Sequence, residues 1–102
     1  MRVVWSLEAE ADRASIFDFI ADQNPPAAVH MDSLFSAAAA HLSDNSGIGR
    51  TGRVAGTREL IPHKSYRLVY EVEQNVVWIL ALVHTARQWP PVVGSALDKW
   101  LP

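Results

Sequence analysis

The nine residues Val76–His84, VVWILALVH, are apolar at every position but the last. The run is far too short to cross a bilayer, and its residue types suit the central strand of a sheet covered on at least part of both faces. The rest of the chain must therefore supply flanking strands and a cover. Glu73, Gln74 and Asn75 form a turn before the run. Ahead of that turn the chain alternates, with Tyr66, Leu68, Tyr70 and Val72 on one face and Arg67, Val69 and Glu71 on the other. Pro62 to Ser65 reads as a turn and Thr57 to Ile61 as a further strand with Leu60 facing inward. These segments make an antiparallel meander, and Arg2 to Trp5, with Val3, Val4 and Trp5, adds a short opening strand.

The cover is helical. Ser6 is an N-cap for a helix from about Leu7 to Asp22, with Glu8, Glu10 and Asp12 near the positive end of its dipole. Ala9, Ile16 and Ile20, with Phe19 alongside, mark its buried stripe, and Phe17 falls off that stripe, where a flank contact, a dimer contact or a docking point for another chain are open to it, the flank contact first. Asn24 and Pro25 cap and open a second helix within a few residues, so the two form an antiparallel hairpin. In the second helix Ala27, Met31, Leu34, Ala38 and Leu42 keep the helical rhythm, with Phe35 beside Leu34, and Ala37 to Ala40 suits close approach of another backbone. Asp44, Asn45, Ser46 and Gly47 end it, with Gly47 as a left-handed terminator. The expected fold is α+β: an N-terminal antiparallel helical hairpin packed on a small, mostly antiparallel sheet of three or four strands.

A chain of 102 residues makes a single domain, 1–102, in which 91–102 is a short tail after Pro90-Pro91 carrying Leu97, Trp100 and Leu101. At 49% hydrophobic residues it lies outside the range of disordered chains. Zero cysteines exclude disulfides and thiolate chemistry and fit a reducing compartment. With no apolar run of membrane length and no signal-peptide pattern, the expected location is the cytoplasm. Histidines at 30, 41, 63 and 84 show no metal-ligand spacing, so neither a metal site nor a cofactor is expected.

The net charge of -2 conceals an uneven distribution. Residues 1 to 48 hold two Arg against seven acids, whereas residues 49 to 102 hold seven Lys/Arg against four acids. Within Gly49–Tyr70, GRTGRVAGTRELIPHKSYRLVY, the cations Arg50, Arg53, Arg58, Lys64 and Arg67, with His63 when protonated, meet one acid, Glu59. Such a stretch invites a polyanion or an acidic partner, because Arg presents a planar fork of donors to phosphate or carboxylate.

The pattern GRxGRxxGTREL, followed by the strand from Tyr66 to Tyr70 and by HxxRxWP (His84, Arg87, Trp89, Pro90), resembles the RelE/ParE superfamily of toxins from type II toxin–antitoxin pairs. Trp5-Ser6, Ile20-Ala21, Asn24-Pro25 and Ala27-Ala28 extend the resemblance over about residues 3 to 90. It implies a cognate antitoxin that wraps the toxin in a hetero-oligomer. An amphipathic helix or strand of that partner would enter the cleft between hairpin and sheet, and its acids would meet Arg53, Arg58 and Arg67.

Two activities follow from the resemblance. RelE-type members cut messenger RNA at the ribosome without a metal; here Arg58 and Arg67 would clamp the phosphate, with Glu59, His63 or His84 as base or acid. The best-known nucleases of the group carry a tyrosine close to the C-terminal end and a denser lysine set, whereas here His84-Thr85-Ala86-Arg87-Gln88-Trp89 follows the last strand without one. HxxRxWP instead resembles the ParE-type branch, described as poisoning DNA gyrase with no nuclease chemistry. In that reading Arg50, Arg53, Arg58, Arg67, Arg87 and Trp89 bind target or antitoxin. Each residue also has a plain structural role open to it: His84 as a hydrogen-bonded strand end, Trp89 as a lid on the core, Arg87 as an ion-pair partner of Glu59 or Glu71, and Arg50 and Arg53 on a solvated loop.

Overall fold

The computed structural model describes residues 1–90. In order, it contains β1 (Arg2–Trp5), α1 (Leu7–Ala21), α2 (Pro25–Asp44), β2 (Arg50–Thr51), β3 (Thr57–His63), β4 (Tyr66–Glu73) and β5 (Val76–His84). The sheet order is β1-β5-β4-β3-β2, with β1 parallel to β5 and every other pair antiparallel. The α+β hairpin-on-sheet expectation is borne out. The sheet counts five strands because β1 joins it and Arg50–Thr51 adds a two-residue rung to β3. The anticipated tail at 91–102 lies outside the described residues.

Capping fixes both helix starts. Ser6 Oγ accepts the Ala9 N–H at 3.0 Å, and Asn24 Oδ1 accepts that of Ala27 at 3.1 Å, directly before two prolines. The apolar run Val76–His84 is central as its composition demands, and its Val77, Ile79 and Leu82 pack with Leu68 and Tyr70 of β4 under Ala9, Phe35, Ala39 and Leu42 of the hairpin. In α2 the deepest line is Ala28, Phe35, Ala39 and Leu42, while Met31 and Ala38 pack at its margin. The stripe is wider than one helical row because α2 meets α1, β1 and β3 together.

Several local expectations are corrected. Phe19 is 72% exposed, not part of the buried stripe of α1. Val72 is also exposed, since β3 begins at Thr57, opposite Glu71, and leaves Val72 without a strand on that side. Pro62 lies within β3, which continues to His63; β2 pairs only as far as Glu59, so the missing proline N–H falls on a free edge beside a register shift. Gly47 does not take a left-handed conformation; α2 closes through the Asn45 N–H bonded to the His41 carbonyl, and among the described residues the one glycine with positive φ is Gly56 at 85°, in the loop before β3.

Candidate functional site

Strand register sorts the candidate residues before any side chain is considered. On the face turned away from the helices, Glu59 of β3 stands opposite Val69 of β4, and Arg67 lies beside Val83 of β5. Glu59 is buried, with a side chain 4% exposed, and it is fully engaged. Oε1 meets Arg67 Nη1 at 3.2 Å and Arg50 Nη2 at 3.6 Å, while Oε2 accepts the Arg53 backbone N–H at 3.3 Å. Arg67, itself 14% exposed, donates through Nη2 to the Arg87 carbonyl. Its Nε is buried with no partner among the described residues. Arg87 therefore enters this cluster through its backbone, and the ion-pair partners of Glu59 are Arg67 and, at longer range, Arg50. Arg50 is 64% exposed, and Arg53 and Arg87 are exposed as well.

Arg58 belongs to the other face. It stands opposite Tyr70 and donates from Nη1 to the Gly49 carbonyl at 2.8 Å. The same loop is held by the buried Tyr70 hydroxyl, which accepts the Gly49 N–H at 2.9 Å and donates to the Ser46 carbonyl at 2.7 Å. A Cβ at Gly49 would sit 2.6 Å from that hydroxyl, so this close approach requires glycine.

At the opposite end of the sheet, register aligns His63, Tyr66 and His84 on three adjacent strands. Tyr66 packs edge-on against Phe35 at 5.6 Å and against His84 at 5.5 Å between ring centroids. Both imidazoles use Nδ1 to hold their own turns, accepting N–H from Ser65 and Ala86 respectively, each at 3.1 Å. Lys64 is exposed at this end and Trp89 half-buried. Four residues of β4 separate the Tyr66 rung from the Tyr70 rung that carries Arg58, about 13 Å at ~3.3 Å per residue. The structure thus brings Glu59, Arg50 and Arg67 together, and His63 with His84, and leaves Arg58 apart from the histidines.

Between hairpin and sheet, a groove of about 910 Å³ runs between α1 and the second half of β5, lined by Glu8, Asp12, Ile16 and Phe19 of the helix and by Leu82, His84, Arg87 and Trp89. Which residues line it escaped the sequence reading. Burial raises the Asp12 carboxyl above its ordinary 3.8, against the lowering effect of the Leu82 N–H it accepts at 3.1 Å; the neighbouring Glu8 charge adds to the rise. The signal lay in Glu8, Asp12 and Ile16, spaced four apart and then followed by Phe19, a helical line mixing acids with large apolar residues. Among the described residues no group of His, Asp and Glu is placed to hold a metal, and no helix is long and apolar enough to cross a membrane.

Residues 3–89 match the family described as the ParE toxin of the type II toxin-antitoxin system parDE. The chain is 31% identical over 93 residues to the "Putative toxin Y4kP" of Sinorhizobium fredii, covering 90% of this chain and 96% of that one. It is 35% identical over 86 residues to toxin RelE2 of Caulobacter vibrioides, covering 84% and 97% respectively. Among solved structures, a chain of the chromosomal ParDE system from P. aeruginosa shares the fold with a TM-score of 0.74 at 24% identity, over 82% of this chain and 95% of that one. The YoeB/ParE toxin from Agrobacterium tumefaciens shares it with a TM-score of 0.59 at 17% identity, over 82% and 98%.

Proposed function

This chain belongs to the ParE toxin family of type II toxin–antitoxin systems, and from that membership we propose that it arrests growth in the cytoplasm by trapping DNA gyrase and is silenced by a cognate antitoxin. The observation that carries the choice of target is the separation of the residues a nuclease would need. Arg58 stands on a rung about 13 Å, four β residues, from that of the histidines that would move a proton, and Arg67, which lies nearer to them, is spent on Glu59 and the Arg87 carbonyl. Glu59, the remaining candidate base, already holds Arg67, Arg50 and the Arg53 amide, an arrangement suited to bracing two strands and a loop. What remains on the surface is a set of exposed cations, Arg50, Arg53, Arg58 and Arg87, together with Trp89, which suits docking on an acidic protein surface. Acids of the antitoxin would meet Arg53 and Arg58, while Arg67 supports the Arg53 loop from beneath through Glu59.

A second reading, the ribosome-dependent and metal-free cleavage of messenger RNA, draws on one arrangement: the row of His63, Tyr66 and His84 at one sheet end. Purified toxin added in parallel to a gyrase supercoiling assay and to a cell-free translation reaction separates the two. Failed supercoiling with intact message supports the gyrase reading. Cut message with normal supercoiling overturns it, and His84→Ala should then abolish cleavage without unfolding the protein. A chain that does neither and is harmless when expressed alone removes both activities.

A further inference from the structure

The two outer edges of the sheet are built differently. At one, β2 pairs only with Arg58 and Glu59, and the remainder of β3 carries Pro62 beside a register shift. Proline and irregularity both discourage an incoming strand. At the other edge stands β1, Arg2–Trp5, in regular register with β5 and without proline or lysine. Its free side is open to pairing. The Arg2 N–H reaches the Asn75 carbonyl at 3.2 Å and the Ser6 N–H the Ile79 carbonyl at 2.9 Å, so the even positions aim their backbone groups at β5. Val3 and Trp5 aim theirs the opposite way, and no described residue bonds to them.

So short a strand cannot template a long ladder, but it suffices for a closed pair with its own copy. A two-fold axis perpendicular to the sheet at Val4 sets the two β1 strands antiparallel. Val3 of each copy then exchanges both backbone bonds with Trp5 of the other, which pairs every free group of the two residues. The side chains suit that register. Val3 and Trp5 pack on the core side, so Val4 lies on the other face beside its β5 neighbour Trp78, which is 37% exposed. Across the seam the axis aligns Trp78 and Val4 with Val4 and Trp78 of the second copy. Opposed strand directions also bring the start of one β1 to the end of the other. The exposed Met1 then turns toward Leu7, 81% exposed, and Arg2 toward Glu8 and Glu10 in the first turn of α1. Met1, Leu7 and Trp78 are large apolar side chains left in solvent at or beside one strand, and a single contact covers all of them.

We propose that β1 is a self-association edge, through which two copies of this chain join into one continuous sheet with both helical hairpins on the same face. The partner is a second copy because the edge complements itself in backbone groups, in the apolar row at Val4 and Trp78, and in charge between Arg2 and the acidic start of α1. The proposal goes beyond the toxin reading and does not depend on it, so either can fail while the other stands.

Sedimentation equilibrium of the full-length chain over a concentration series should show monomer and dimer in exchange. Val4→Lys and Val4→Glu each set like charges opposite one another at the axis and should weaken self-association at least about 10-fold. An equal mixture of the two variants should recover it, because opposite charges then face each other, a recovery that misfolded variants could not give. Hydrogen exchange supplies a second readout: the Val3 and Trp5 amides should slow as the chain concentration rises, while the Val4 amide, already turned toward β5, should not. A chain that stays monomeric throughout the series overturns the proposal. So does a dimer that both substitutions leave intact, or a loss of association that mixing does not recover. Protection of Val3 and Trp5 only when antitoxin is added, with the free chain monomeric, overturns it as well, since a strand of the antitoxin is then the occupant.

Discussion

Replacing Glu59 by Gln changes charge at nearly constant volume and tests whether this carboxylate braces the fold or reacts. Gln keeps one oxygen, so a single donor among Arg67 and the Arg53 amide retains its partner, while the other meets an amide NH2. The larger loss is electrostatic. Arg67, 14% exposed, becomes a mostly buried cation without a counter-charge, and breaking a buried pair from one side costs about 3–5 kcal/mol. That figure is reduced by the bond Arg67 keeps to the Arg87 carbonyl. Arg50, 64% exposed, adds little. The expected destabilisation is about 2–4 kcal/mol, or ~10–25 °C in melting temperature for a domain of this size. Urea denaturation of the purified toxin, followed by tryptophan fluorescence, measures it directly. If Glu59→Gln folds within about 1 kcal/mol of wild type yet has lost all toxicity at equal expression, bracing is the wrong account and the carboxylate takes part in chemistry.

Tyr70→Phe should cost about 2 kcal/mol and speed amide exchange at Gly49, because it orphans the Gly49 N–H and the Ser46 carbonyl beside a fully buried ring; a thermal melt unchanged within 2–3 °C, roughly 0.5 kcal/mol, would contradict it. Arg13 bonds Asp32 at 2.6 and 3.0 Å and lies 4.8 Å over the Trp5 ring, so Arg13→Lys, which loses the fork and the stacking, should destabilise by about 1 kcal/mol in chemical denaturation. The folded state raises the Asp12 pKa, so it binds that proton more readily than the unfolded chain, and this group's contribution to stability falls as pH rises from about 3.8 through the folded value. Asp12→Asn keeps an acceptor for the Leu82 N–H and loses the titration, so its stability relative to wild type should improve between acid and neutral pH, as read from paired urea curves.

Local chemistry made much of the architecture legible. Caps at Ser6 and Asn24, alternation in β4 and the apolar density of β5 each act within a few residues, and each is visible in the chain. Pairing choice is not local: nothing in Arg2–Trp5 names β5 as its parallel neighbour. Nor does the apolar run reveal that Leu80 sits at a register shift, which returns Leu82 to the helix face after Ala81 has turned away. Phe19 misled because a helical stripe predicts burial only where something lies opposite, and beyond Ile16 nothing among the described residues covers it. At the candidate site the charge cluster around Glu59 was visible as composition, but its pairing with Arg67 instead of Arg87 depends on strand register.

The pairing of β1 with β5 also sets a clock. A strand made of residues 2 to 5 finds its partner only when residues 76 to 79 exist, so the sheet cannot close until most of the chain has been synthesised. At ~5–20 residues per second, assembly of the chain takes about 5–20 s, and for most of that time the nascent polypeptide lacks its central strand. The closed sheet therefore forms only near the end of the chain's own translation, and every surface built across it, the Glu59 cluster and the row of His63, Tyr66 and His84 alike, forms with it.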